Sequence, residues 1–140
     1  MISQIVRELS VPTRRRAFYE VTGPVQELVR ATGWQTGLVT LQLQHTSASL
    51  LIQENADPEV RRDLERWFAR LAPDGDPLFR HTAEGQDDMP AHARAAITAV
   101  NLNLPFTQGR LALGTWQGIY LWEHRTSPHR RTMVVHLLGE

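Results

Sequence analysis

The sharpest pattern in the chain lies at Thr36–Gln44, where Val39, Leu41 and Leu43 point one way and Thr40, Gln42 and Gln44 the other. A period of two is the signature of a strand with one buried face. The same pattern predicts a strand over Ile2–Leu9, ended by Pro12, with Arg14–Val21 as its hairpin partner. Val25, Leu28 and Val29 stand at helical spacing and predict a helix over Pro24–Ala31, capped by Thr22 and ended by Gly33. Leu50-Leu51-Ile52 reads as a short buried strand. Asp57-Pro58-Glu59 then opens a helix whose Val60, Leu64, Trp67, Phe68 and Leu71 form one apolar stripe, which assigns Trp67 and Phe68 to the core.

The alanine-rich run Ala91–Val100 predicts a third helix, with Pro90 in its first turn. Asn101–Pro105 alternates as a strand, Thr107–Arg110 has the residues of a turn, and Leu111 and Leu113 enter another strand. Along Gly114–Arg125 the period of two puts Trp116, Tyr120, Trp122 and His124 on one face. Gln117, Ile119, Leu121, Glu123 and Arg125 fall on the other. The aromatic face is either a wall for a flat ring or a packing surface, such as a subunit interface. Thr132–Leu138 closes the chain as a strand.

Composition narrows the chemistry. A chain of 140 residues suits one domain, 1–140, with a core of its own. Zero net charge gives no global reason to expect a nucleic-acid or membrane partner. All 15 basic residues are arginine, which excludes a lysine Schiff base or a P-loop lysine and leaves guanidinium forks for phosphate or carboxylate. With no cysteine there is no disulfide, thiolate metal site or cysteine nucleophile. No apolar run is long enough to span a bilayer and no signal-peptide core is present, so a cytoplasmic location is expected.

Candidate chemistry concentrates in Arg80–His92, which holds His81, Glu84, Asp87, Asp88 and His92 on a loop running into the third helix. If helical geometry holds from Asp88, Asp88 and His92 stand four apart on one face. Such a cluster can hold a divalent metal or do acid–base work on a phosphate-bearing ligand. It can equally be a solvated acidic loop with an Asp cap. His45 leaves the apolar face of its strand just before Thr46-Ser47-Ala48-Ser49, whose hydroxyls can bind phosphate oxygens. Arg14-Arg15-Arg16 can grip phosphate, but reads first as a solvated strand face.

Four blocks carry a resemblance: His45–Leu50, Glu54–Pro58, Glu84–His92 and Leu113–Arg125. In order and spacing they resemble the YjbQ family, described as secondary thiamine-phosphate synthase-like, with mild departures at Gln86 and Pro128-His129. The resemblance implies an α+β single-domain sandwich with a mostly antiparallel sheet and about three helices, assembled as a homotrimer. It implies joining hydroxymethylpyrimidine diphosphate to thiazole phosphate with release of pyrophosphate. A metal-dependent phosphate-ester hydrolase and a non-catalytic trimeric binding module are the alternatives. On this reading His45, Asp88 and Glu123 are catalytic, while Thr46, Ser47, Asn55, Trp116, Gln117 and Arg125 bind a small phosphorylated metabolite. The divalent metal is Zn²⁺ or another first-row ion on His45, His81 and His92, or Mg²⁺ on Glu84, Asp87 and Asp88.

Overall fold

A computed structural model describes residues 1–140. In chain order the elements are β1 (Ser3–Thr13), β2 (Ala17–Glu20), α1 (Thr22–Thr32), β3 (Thr36–Leu43), β4 (Ala48–Glu54), α2 (Pro58–Leu71), α3 (Asp88–Ile97), β5 (Asn101–Thr107), β6 (Arg110–Leu111), β7 (Gln117–Glu123) and β8 (His129–Gly139). They form a five-stranded sheet, β1-β8-β3-β5-β6, and a three-stranded sheet, β2-β7-β4, with every pairing antiparallel. This is the expected α+β sandwich with three helices. No helix is long and apolar enough to cross a membrane.

The core forms where the period-two faces meet. Val39, Leu41 and Leu43 of β3, Leu104 and Phe106 of β5, and Met133, Val135 and Leu137 of β8 pack against Ala48, Leu50, Ile119 and Leu121 of the smaller sheet. Val25 and Val29 of α1 join the same cluster, and Gly33 ends that helix in the left-handed region at φ 71°. Gly37 is fixed by packing. A Cβ there would lie 2.1 Å from the Leu138 carbonyl oxygen and 2.5 Å from the Phe106 ring.

Several local expectations change. Pro12 does not end β1, which runs on to Thr13 opposite His129. β1 is an edge strand paired only to β8, and edge strands are where a sheet admits proline. β2 is not the hairpin partner of β1; it crosses to the other sheet and pairs with β7. Thr22 does not cap α1. Its hydroxyl instead donates to Glu20 at 2.9 Å and accepts the Ile119 N–H at 2.8 Å, tying the helix start to β7. Asp57 does cap α2, accepting the Glu59 N–H at 2.9 Å.

The aromatic face of β7 is covered by the chain itself. Phe18 stacks on Trp122 at 4.4 Å between ring centroids, Phe68 of α2 meets it edge-on at 4.7 Å, and the Arg61 guanidinium lies over Tyr120. Tyr120 and Trp122 are therefore core, available neither to a flat ligand nor to a second subunit. Trp116 precedes the strand and is exposed. The α2 stripe is correspondingly narrower than its spacing suggests. Phe68 is buried, whereas Trp67 and Leu71 are 56% and 53% exposed.

Candidate functional site

α3 begins at Asp88, so Asp88 and His92 do occupy one face of a helix. The His92 Nε2 lies 3.3 Å from Asp88 Oδ2, and His81, from the preceding loop, brings its own Nε2 to 2.8 Å from the same oxygen. The donor atoms of His81, Asp88 and His92 all lie within 4.8 Å of one another. Asp88 is buried, His92 half-buried and His81 exposed, so the cluster opens outward at His81. A cleft of about 200 Å³ runs beside it, lined by Pro77, Phe79, Gly85 and Met89.

Arg125, two residues beyond β7, holds this cluster in place. Its Nε donates to Asp87 Oδ2 at 3.0 Å, its Nη1 approaches Asp88 Oδ1 at 2.9 Å, and its Nη2 donates to the Glu84 carbonyl at 2.7 Å. Gly85 adopts φ 109°, a conformation closed to other residues without strain, and leaves room for the Asp87 carboxylate and Arg125 beside it. Burial pushes Asp87 upward, but hydrogen bonds from Arg125 and Thr126 outweigh it and hold the carboxyl down at about 2. For Asp88 burial is likewise outweighed, by the His81 hydrogen bond and by the charge of Arg125. Both stay ionised, and neither side chain caps α3.

A second polar cluster lies inside the sandwich at the same end of β7. Glu123 is fully buried, and its Oε1 accepts from the Thr13 hydroxyl at 2.6 Å and from Arg131 Nε at 2.8 Å. Its Oε2 accepts from Arg131 Nη2 and from the Arg125 N–H. Arg131 also donates to the Ser47 hydroxyl at 2.9 Å. His45 sits beside this pair: its Nε2 accepts the Thr132 N–H at 2.8 Å, and its Nδ1 lies 3.4 Å from Arg131. Burial, then the Arg131 charge, lowers the His45 pKa. An open groove of about 520 Å³ runs past His45, Thr46, Ser47 and Arg131.

The expected ligands thus separate. His81, Asp88 and His92 converge; His45 does not join them, because a backbone N–H of β8 fixes its Nε2. The carboxylates do not gather either: Asp87 is engaged by Arg125 and Thr126, and the Glu84 side chain is exposed. Thr46 and Ser47 line the His45 groove, with Ser47 itself bonded to Arg131. The Arg125 guanidinium meets protein acceptors at all three nitrogens, which makes it an anchor for the loop instead of a phosphate contact. Glu123 is sealed in the interior with no path to a ligand. Asn55, Trp116 and Gln117 lie at the far end of the small sheet, because Glu54 pairs with Gln117 and Ala48 with Glu123. Six strand steps separate these ends, roughly 20 Å. There Asn55 bonds Glu20, and Gln117 accepts the Gly114 N–H.

Arg131 was missing from the sequence-derived set, although a signal for it exists. It stands in phase with Met133, Val135 and Leu137, an arginine on the core side of a strand. Arg94 is the helical counterpart, three residues after the buried Ala91 and fully enclosed itself. It donates to Glu65 at 3.2 Å. Next to it His124 is also fully buried, with its Nε2 2.8 Å from the Ser49 hydroxyl. Burial, followed by the Arg94 and Arg16 charges, drives the His124 pKa down to about 2.

Known proteins share this chain over nearly its full length. A family described as UPF0047 protein YjbQ-like matches residues 7–140. A UPF0047 protein of Synechocystis is 48% identical over 94% of this chain and 90% of its own. The UPF0047 protein YjbQ of Salmonella typhimurium is 44% identical over 96% and 97%. A conserved hypothetical protein of Thermus thermophilus, solved by crystallography, superposes with a TM-score of 0.83 at 39% identity, covering 92% of this chain and 97% of its own. With sequence, fold and coverage in agreement, the chain belongs to the UPF0047 YjbQ-like family.

Proposed function

We propose that the protein is a metal-assisted enzyme of phosphorylated metabolites in the cytoplasm, with thiamine-phosphate synthase-like chemistry. The observation that carries this reading is the convergence of His81, Asp88 and His92 around one carboxylate oxygen. Two imidazoles and a carboxylate suit a first-row transition ion such as Zn²⁺ better than Mg²⁺, which favours oxygen ligands. The set fits at its carboxylate, which has the outer support a ligand needs: Arg125 holds Asp88 Oδ1 and leaves Oδ2 facing the imidazoles.

In the proposed reaction the thiazole ring nitrogen attacks the methylene carbon of hydroxymethylpyrimidine diphosphate, and the C–O bond breaks with its electron pair leaving on pyrophosphate. A bound divalent ion supplies charge neutralisation for that leaving group. The chain's own residues place the site. Asp88 orients both imidazoles, Arg125 fixes Asp88, and the open side at His81 admits substrate from the adjoining cleft. The groove at His45, Thr46 and Ser47 offers hydroxyl and imidazole groups to a second phosphate.

The test combines elemental analysis with a two-substrate assay. The parent should carry close to one transition ion per chain and form thiamine phosphate. His92→Ala and Asp88→Asn should each lower metal affinity or turnover by about 10–100-fold or more. Loss of pyrophosphate without the thiazole acceptor would reassign the centre to a hydrolase. A metal-free parent without turnover would leave a binding module.

Assembly follows the same reading, as a homotrimer. With Tyr120 and Trp122 internal, the exposed apolar residues Trp67, Leu71, Leu78, Ile97 and Trp116 are what a second copy can cover. Sedimentation should return three chains per particle, and Trp67→Glu should shift the protein toward monomer. A monomeric parent at micromolar concentration would end the trimer.

A further inference from the structure

On the α2 side of the molecule the arginines are gathered, not dispersed. Arg15 and Arg16, between β1 and β2, face Arg61, Arg62 and Arg66 of α2 across a groove of about 460 Å³. One carboxylate, Glu65, lines it, and both of its oxygens are engaged from behind, by the Trp122 indole N–H and by buried Arg94. Glu65 therefore balances Arg94 and is not free to pair with the groove's arginines. Arg61 donates to the Glu54 backbone carbonyl at 3.0 Å and covers Tyr120, so it is positioned without a counter-charge. Arg15 is exposed, and its turn is held through its backbone groups alone: the Arg14 and Arg15 N–H groups donate to the Tyr19 hydroxyl at 2.9 and 3.1 Å, and that hydroxyl donates to the Arg15 carbonyl at 2.8 Å. Arg62 and Arg66 pair with Glu59 and Asp63 one turn away, through exposed side chains. Such pairs contribute little and exchange readily for a better acceptor. Arg16 is fixed by two bonds to Asp74, at 2.9 and 2.8 Å, which gives the groove one rigid wall.

We propose that this groove binds a small polyanion carrying two or more phosphoryl groups, at a site separate from the His81–Asp88–His92 centre. Guanidinium forks match phosphoryl oxygens in pairs. Arg15 and Arg61 face the groove without a carboxylate partner, and Arg62 and Arg66 hold only exposed pairs that a phosphoryl group can displace. The volume is that of a small-molecule site. Glu59, Asp63 and Asp74 stand around its margin and would repel an extended nucleic-acid backbone, and the chain as a whole has no net charge. Phe18 on the floor, stacked on Trp122, gives the ligand an apolar edge to lie against.

Titration calorimetry of the full-length chain with tripolyphosphate, at about 0.1 M salt so that long-range attraction is screened, tests the site. Arg15→Ala combined with Arg66→Ala should weaken binding by about tenfold or more, the scale of losing charge-assisted hydrogen bonds. His92→Ala should leave it unchanged. Both arginines are exposed, and Arg15→Ala alone repeats the test should the double variant fold poorly. The proposal is overturned by no binding to the parent, or by equal binding to the double variant. It also falls if binding is lost only in His92→Ala, which would move the anion to the candidate centre. Tighter binding of a single-stranded oligonucleotide than of tripolyphosphate would replace it with a nucleic-acid surface.

Discussion

Glu123→Gln should cost the protein about 3–5 kcal/mol of stability, the usual penalty for leaving one member of a buried ion pair without its counter-charge. Glu123 is fully buried and Arg131 nearly so, and Arg131 has no other carboxylate bonded to it. The amide keeps an acceptor for the Thr13 hydroxyl but cannot neutralise the guanidinium, so the loss is electrostatic and not a cavity. For a domain of this size the midpoint of thermal unfolding should fall by roughly 10–20 °C. Replacing both partners, as Glu123→Leu with Arg131→Met, should recover much of that loss, because an apolar pair of similar volume is often no worse than a buried ion pair. Circular dichroism melts of the three variants read the effect directly. A Glu123→Gln protein that melts with the parent yet loses turnover would return Glu123 to the catalytic set.

Acid should act on the fold through His124 before it acts through the carboxylates. Enclosed beside Arg94 and Arg16, His124 stays neutral in the folded protein down to about pH 2, against 6.5 when free. Above pH 6.5 neither state binds the extra proton and the group contributes nothing. Below it the unfolded chain takes up a proton that the folded protein refuses, so stability falls by about 1.4 kcal/mol per pH unit. Between pH 6.5 and 4.5 that amounts to roughly 2–3 kcal/mol. His45, lowered in the same direction, adds to this slope. The carboxylates follow later. Asp87, Asp88 and Glu123 are depressed in the fold, so their contribution is intact above the ordinary carboxylate range and is lost only as pH drops through it. Urea unfolding at a series of pH values should therefore show destabilisation already under way at pH 5. In His124→Gln, which keeps a polar group toward Ser49, most of the slope between 6.5 and 4.5 should vanish. An unchanged slope in that variant would mean that His124 is protonated in the fold, with a partner the present geometry does not give it.

Where a property depends on neighbours a few residues apart, the sequence was enough. The alternation at Thr36–Gln44 placed Val39, Leu41 and Leu43 in the core because a strand turns every second side chain to the same side. Asp57-Pro58-Glu59 marked the start of α2 because capping and the proline φ are local. Asp88 and His92 came together because four residues make about one helical turn, and the four blocks in register identified the family. The rest rested on contacts that no local spacing encodes. Strand pairing is long-range, so the hydrophobic pattern could show that Ala17–Glu20 is a strand but not that it belongs to the second sheet. The period of two gave Tyr120 and Trp122 a common face, and only packing decided that α2 and Phe18 cover it. Glu123 looked like a reactive carboxylate until its partners were known, and the Thr13 hydroxyl reaches it from 110 residues away. The convergence of His81 on Asp88, the separation of His45 from both, and the distance of Asn55 and Gln117 from either were likewise set by tertiary structure. The first depends on how the loop between His81 and Asp88 folds back onto its helix, and the other two on strand pairings between residues far apart in the chain, which local spacing does not encode.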